Sequence, residues 1–156
     1  MLLQQEINEQ SAVLARLLKE QAENVEQIAA AIREFDPAYV LIAARGTSDN
    51  AARYAQYVLG SAVQLPVALG TPSLHTLYEA PPNLGKGLVI GISQSGQAED
   101  VRRVLADARG QGALTVAITN FPDSPMAQTA EHHVELCAGE EKSIAATKTY
   151  TAQLTV

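Results

Sequence analysis

An apolar segment from Leu88 to Ile92 leads through a turn of four residues into an amphipathic helix. An apolar run without polar alternation is typical of a parallel strand that is covered on both faces. Beyond the turn, apolar residues recur at the spacing of one helix face, at Val101, Val104, Leu105 and Ala108. This spacing predicts a helix from about Ala98 to Arg109 with a single apolar stripe.

The turn between this strand and helix is rich in hydrogen-bond donors. It consists of Ser93, Gln94, Ser95 and Gly96. A helix N-terminus presents unpaired backbone N–H groups and the positive end of the helix dipole, so it favours an anion. The serine hydroxyls and the glutamine amide add donors, and glycine allows close approach or a positive φ. The segment predicts phosphate binding, with simple helix capping by Ser93 or Ser95 as the alternative.

A second segment repeats this arrangement. The apolar run Tyr39 to Ala44 ends in Arg45-Gly46-Thr47-Ser48-Asp49-Asn50 and continues into a helix. Taken alone, this turn is weak support for a ligand site, because Ser48 or Asp49 would be an ordinary N-cap. The two turns together are harder to explain as caps.

Three further segments complete the predicted sheet. They are the short strand Leu65–Leu69, the apolar run Leu114–Thr119 and a fifth, shorter strand at His132–Leu136. Five strands alternating with helices predict a three-layer α/β/α sandwich with a five-stranded parallel sheet, of the flavodoxin-like or Rossmann-like kind. Ligands of such sheets bind beyond the carboxyl ends of the strands, where both hydroxyl turns lie. The chain has neither Gly-x-Gly-x-x-Gly nor Gly-Lys-Ser, so dinucleotides and nucleoside triphosphates are not favoured.

The two ends of the chain are predicted to be helical. Apolar spacings of three, four and seven predict a helical arm over residues 1–35, in two pieces, before a sheet domain over residues 36–156. The arm covers either the sheet or a second subunit, and its apolar stripe favours a homodimer. The last segment, from Gly139, turns into a helix that is uncapped at Val156, so a fragment of a longer protein is expected.

Composition excludes several functions. The formal net charge is −6 and basic residues are scattered, which argues against nucleic acid as a partner. No apolar run reaches the roughly 20 residues of a membrane span, and the first residues carry no signal-peptide pattern, so a cytoplasmic location is expected. No metal site is predicted. The chain has a single cysteine, Cys137, and the adjacent His132 and His133 point to opposite faces of a strand. The segment Thr71-Pro72-Ser73 predicts the start of a short helix over Leu74–Glu79, and His75 on this helix is predicted to be structural or exposed.

Four stretches resemble a known family, the SIS (sugar isomerase) domains. They are Gln5–Gln10, Gly46–Ser48, Ser93–Gly96, and Ala145–Lys148 with the following Thr151–Val156. Together they span the chain. They are similar in particular to the first SIS half of the isomerase part of glucosamine-6-phosphate synthase and of its relatives that lack the glutaminase.

The resemblance implies a binding site for a phosphorylated hexose and no cofactor. The phosphate is expected at Ser93, Gln94, Ser95 and the Thr47–Ser48 turn. The full expected site is Gly46, Thr47, Ser48, Ser93, Gln94, Ser95, Gly96, Ala98, Ile144 and Ala146. The family has a threonine where this chain has Ala98 and usually a serine where it has Ala146, so one hydroxyl contact is lost at each place.

The function implied is half of an amino-sugar phosphate isomerase or deaminase acting on glucosamine-6-phosphate or fructose-6-phosphate. In two-SIS enzymes the second half and a C-terminal tail supply the catalytic glutamate, histidine and lysine, so this chain alone is expected to bind rather than catalyse. Glu141 is the one carboxylate expected near the crevice, with surface or capping roles as alternatives. Lys148 has either a ligand or a salt-bridge role. A non-catalytic sugar-phosphate sensor is the alternative function.

Overall fold

A computed structural model describes residues 1–156 and contains a single five-stranded parallel sheet. The strand order is β2-β1-β3-β4-β5, and every neighbouring pair is parallel. The strands are β1 (Tyr39–Ala44), β2 (Val67–Leu69), β3 (Gly87–Ile92), β4 (Leu114–Thr119) and β5 (His132–Glu135). This order places β1 beside β3, so the two hydroxyl-rich turns that follow them lie at the same edge of the sheet.

Seven helices surround the sheet. They are α1 (Leu2–Glu20), α2 (Ala22–Phe35), α3 (Thr47–Val63), α4 (Ser73–Thr76), α5 (Glu99–Gly110), α6 (Pro125–Thr129) and α7 (Lys148–Thr155). The two helical pieces predicted before the first strand are observed as α1 and α2. None of the seven is long and apolar enough to cross a membrane.

Two apolar clusters cover the two faces of the sheet, which confirms the three-layer architecture. Alternate residues of a strand point to opposite faces, so Leu88 and Ile92 pack with α1, α2, α3 and α7 while Val89 packs with α5 and α6. At Gly91, an added Cβ would lie 2.8 Å from Leu105 Cδ1. Glycine at this position therefore lets α5 pack closely on β3.

The observed boundaries differ from the predicted ones by more than one residue in three elements. Helix α3 begins at Thr47, so Thr47 and Ser48 belong to its first turn. Strand β2 begins only at Val67, because Pro66 has no N–H to donate to a neighbouring strand. Helix α4 was predicted over Leu74–Glu79 but ends at Thr76, and Glu79 adopts a left-handed φ of 48°.

Candidate functional site

A polar cleft of about 440 Å³ lies at the carboxyl ends of β1 and β3. Three segments that are distant in sequence line it: the β1–α3 turn, the β3–α5 turn and the loop before α7. The lining residues are Arg45, Thr47, Ser48, Ser93, Gln94, Ser95, Ile144, Ala145 and Ala146. The expected convergence of the hydroxyl turns is therefore seen in one cleft.

The two serines of the β3–α5 turn shape the turn itself. The hydroxyl of Ser93 accepts a hydrogen bond from the Gly96 N–H at 3.1 Å, and that of Ser95 accepts one from the Gln97 N–H at 3.2 Å. Helix α5 begins only at Glu99, and its N-cap residue makes no side-chain capping bond. Neither serine therefore caps α5, contrary to the alternative interpretation of this turn.

Gly96 is required by the geometry of this turn. Its φ is +66°, in the left-handed region that favours glycine. An added Cβ would clash with the Ser124 hydroxyl oxygen. Gly96 thus frames the cleft without lining it.

Several donors of the cleft have no acceptor within the protein. The backbone N–H groups of Gln94 and Ser95 make no intramolecular hydrogen bond, and neither do those of Thr47 and Ser48 in the first turn of α3. The hydroxyl groups of Thr47 and Ser48 are also without an internal partner. Two sets of free donors, one beside a helix N-terminus, form an arrangement suited to an anion.

The third wall of the cleft is the loop that precedes α7, and α1 holds it in place. The Glu6 carboxylate is buried, with 3% of the residue exposed, and accepts hydrogen bonds from the backbone N–H groups of Lys142 at 2.6 Å and Ser143 at 3.2 Å. Hydrogen bonding from Ser143 and Lys142 keeps the pKa of Glu6 below its ordinary value. The loop then leads directly to Ile144, Ala145 and Ala146 in the cleft.

Glu141 is engaged in capping α7. Its carboxylate accepts hydrogen bonds from the backbone N–H groups of Thr147 at 2.6 Å and Lys148 at 2.9 Å, and from the hydroxyl groups of Thr147 and Thr149. Partial burial raises the pKa of Glu141, but these hydrogen bonds outweigh burial and leave it below the ordinary value. Glu141 does not line the cleft, and the observed contacts are those of the capping alternative.

Lys148 pairs with the helical arm. Its Nζ lies 2.7 Å from Glu9 Oε2, and its side chain is 5% exposed. This hydrogen bond also keeps the pKa of Glu9 below its ordinary value. Glu6 and Glu9, both in the first stretch of the family resemblance, thus bind the last stretch through its loop and its helix. The salt-bridge alternative for Lys148 is the one observed.

The structure brings most of the sequence-predicted site residues together. Seven of the ten line the cleft, whereas Gly46, Gly96 and Ala98 only frame it. Ala98 is the N-cap residue of α5 and packs against the apolar cluster beneath that helix. Sequence reasoning missed Arg45 and Ala145. The available signal for Arg45 was its position as the first residue after β1.

The remaining residues of possible chemical interest have structural contacts. His75 is buried and its Nδ1 lies 2.9 Å from Asp107 Oδ2. His133 Nε2 lies 2.8 Å from the Thr119 hydroxyl oxygen, and burial lowers the pKa of this histidine. Cys137 is a buried free thiol whose pKa burial raises. No group of three or more potential metal ligands lies close together.

A second, apolar groove of about 290 Å³ lies between α2, α3, α7 and the sheet. Seventeen of its eighteen lining residues are hydrophobic. A phosphate in this groove would lose its hydration and gain few donors, so the polar cleft is the better anion site.

A parallel sheet with free donors gathered beyond the carboxyl ends of adjacent strands defines a class of α/β domains that bind small ligands at that edge. Within this class the chain belongs to the SIS domain family, which it matches over residues 35–156. The resemblance seen in the sequence is thereby confirmed.

Known proteins similar to this chain are longer. The glutamine–fructose-6-phosphate aminotransferase of Streptococcus pneumoniae is 35% identical over 155 residues, which cover 96% of this chain and 25% of that enzyme. The chain thus spans about a quarter of the length of the curated relatives it matches.

Solved structures share the fold. A candidate phosphosugar isomerase from Silicibacter pomeroyi superposes with a TM-score of 0.93 at 38% identity, over 96% of this chain and 46% of that one. The C-terminal domain of the glucosamine-fructose-6-phosphate aminotransferase of Francisella tularensis gives 0.83 at 27% identity, over 98% and 44%. The sugar isomerase domain of an RpiR transcription factor from Sphaerobacter thermophilus gives 0.68 at 26% identity, over 86% and 72%.

Proposed function

We propose that this chain is a phosphosugar-binding SIS domain and the first half of the isomerase unit of an amino-sugar phosphate isomerase or deaminase. The observation that carries the proposal is the convergence of free backbone donors and hydroxyl groups from two turns in one cleft, which the loop before α7 closes on a third side. The relatives named as aminotransferases and the candidate phosphosugar isomerase support the ligand class. Glucosamine-6-phosphate and fructose-6-phosphate are the proposed ligands.

In this proposal the phosphate binds between the β3–α5 turn and the start of α3. Ser93, Gln94 and Ser95 bind it from one side, and Thr47 and Ser48 bind it from the other. Ile144 and Ala146 then border the sugar, and Gly46, Gly96 and Ala98 keep the turns close enough for backbone contact. Residues 1–35 serve as an arm, and residues 36–156 carry the site.

The chemistry requires groups that this chain does not place in the cleft. Moving a proton between neighbouring sugar carbons needs a general base, commonly a carboxylate, within hydrogen-bond reach. None of the nine lining residues is a carboxylate. We therefore propose that this chain anchors and orients the phosphosugar, while a second SIS half or a partner subunit supplies the base. The assembly proposed is a cytoplasmic homodimer.

A thermal-shift titration tests the ligand class. A ligand that binds only the folded chain stabilises it, by about 2.7 kcal/mol at a concentration of 100 Kd. We expect glucosamine-6-phosphate and fructose-6-phosphate to raise the melting temperature, and glucosamine and fructose to leave it unchanged. Stabilisation by the unphosphorylated sugars, or by none of the four, would contradict the proposal.

A pair of serine variants controls for the place of binding. Ser95→Ala removes a cleft hydroxyl and is expected to weaken phosphosugar binding by about 1–3 kcal/mol, since a charged acceptor loses a hydrogen bond. Ser61→Ala removes an exposed hydroxyl near the end of α3, where it bonds only the Val58 carbonyl, and should keep the full shift. Equal shifts in both variants would remove Ser95 from the site.

A sugar-phosphate sensor is the second candidate, favoured by the likeness to the RpiR sugar isomerase domain. It would bind the same phosphates and convert none of them. Assay of the full-length gene product for isomerase and deaminase turnover separates the two functions.

A further inference from the structure

Arg45 is the single basic residue among the nine that line the cleft. It directly follows β1, and its side chain is 65% exposed. The phosphate contacts proposed for the two turns are all neutral donors, namely hydroxyl, amide and backbone N–H groups. Arg45 therefore brings the only positively charged side chain to the cleft.

The guanidinium of Arg45 is loosely held. Its Nε lies 3.4 Å from Asp100 Oδ2, and it makes no hydrogen bond. Asp100 is fixed more firmly, in the first turn of α5, where its Oδ1 accepts a hydrogen bond from the Val101 N–H at 2.9 Å. Exposed ion pairs of this kind contribute little to stability. A stronger acceptor entering the cleft can therefore displace Asp100 at small cost.

We propose that Arg45 binds the phosphate of the ligand and that the phosphate displaces Asp100 from its pair with Arg45. A phosphate monoester carries about −1.5 to −2 charge at neutral pH. Arginine stays charged and donates two parallel hydrogen bonds to such a group, which neutral donors cannot match. The inference rests on the proposed function and assigns to its site the residue that selects the phosphorylated form.

Calorimetric titration with fructose-6-phosphate, inorganic phosphate and fructose tests the inference. Arg45→Gln should raise the Kd for both phosphates by about 10-fold to 100-fold, the usual cost of a lost charged hydrogen bond, without affecting fructose. Arg45→Lys keeps the charge and loses the paired donors, so it should fall between the wild type and Arg45→Gln.

Arg53→Gln is the matched control. Arg53 lies on α3, is similarly exposed at 63%, and is paired with a carboxylate, Asp49 Oδ2, at 3.1 Å, but it does not line the cleft. Arg53→Gln changes the net charge by the same amount as Arg45→Gln. The Kd values of the Arg53→Gln variant for both phosphates should stay within about twofold of wild type. An equal loss of phosphate affinity in both variants would show that the effect comes from the overall charge, and it would overturn the inference.

Asp100→Asn gives an expectation of opposite sign. Without its carboxylate partner Arg45 is free, so phosphate binding should tighten by about 2-fold to 5-fold. Weakened binding in Asp100→Asn would overturn the inference. If wild type binds fructose-6-phosphate and Arg45→Gln binds it equally well, the Arg45 assignment fails and the proposed function stands. If wild type binds neither phosphate, both fail.

Discussion

At the scale of a residue, Glu6 is a buried carboxylate outside the cleft that holds one wall of the cleft in place. Its two oxygens accept from two successive backbone N–H groups of the loop that leads to Ile144. A neutral glutamine offers one acceptor oxygen and places an NH₂ group against a donor. The position thus requires a carboxylate, and the geometry of the loop depends on it.

We predict that Glu6→Gln lowers the melting temperature by several degrees and raises the Kd for fructose-6-phosphate several-fold. Glu26→Gln is the control, because Glu26 is exposed on α2 and makes no hydrogen bond. Thermal unfolding and calorimetric titration measure the two effects. A drop in stability with unchanged Kd would show that Glu6 supports the fold and not the cleft.

The pH dependence of this difference follows from the lowered pKa of Glu6. A carboxylate with a depressed pKa stabilises the fold above its unfolded pKa, and loses that contribution as the pH falls through its folded pKa. The gap in melting temperature between wild type and Glu6→Gln should therefore be full at neutral pH and shrink in acid. A gap that persists unchanged in acid would contradict the role of the charge.

At the scale of an element, helix α1 carries two neighbouring apolar faces. One face packs on the domain through Val13 and Leu17, which are buried. The other carries apolar residues at spacings of four and seven, and three of its four members are exposed. The four residues are Leu3, Ile7, Leu14 and Leu18, of which Leu14 is half-buried and Leu18 is 61% exposed. An apolar stripe of this kind on a surface helix favours association.

We predict that the chain dimerises through this stripe. Sedimentation velocity at tens of micromolar should show a dimer, and Leu18→Glu should shift it to a monomer because a charge in an apolar interface is costly. Val63→Glu is a control, since Val63 is an exposed apolar residue at the far end of α3. A wild-type monomer at this concentration would contradict the prediction.

At the scale of the whole molecule, local sequence patterns predicted the sheet well. Largely apolar runs identified the central strands β1, β3 and β4, because strands buried on both faces leave no polar alternation to misread. The edge strands β2 and β5 are shorter and less buried, and their segments are less uniformly apolar. The strand order was not evident, and with it the place of Arg45, which reaches Asp100 only because β1 lies beside β3. The partners of Glu6 lie 136 and 137 residues away, so no local pattern could reveal them.

The character of the serine turn also depended on three-dimensional geometry. A serine before a helix predicts a cap or a ligand contact equally well from sequence. The structure separates the two, because Ser93 and Ser95 accept from Gly96 and Gln97 rather than from the first turn of α5. The role of Glu141 is decided in the same way, because its carboxylate caps the N-terminus of α7.

The central claim is that the polar cleft binds the phosphate of a sugar phosphate, and amide chemical-shift mapping tests it most directly. Titration of the ¹⁵N-labelled chain with fructose-6-phosphate should shift the amides of Thr47, Ser48, Gln94 and Ser95, whose N–H groups have no internal acceptor. Fructose alone should leave these signals in place. Shifts confined to the apolar groove between α2, α3 and α7, or no shifts at all, would contradict the account.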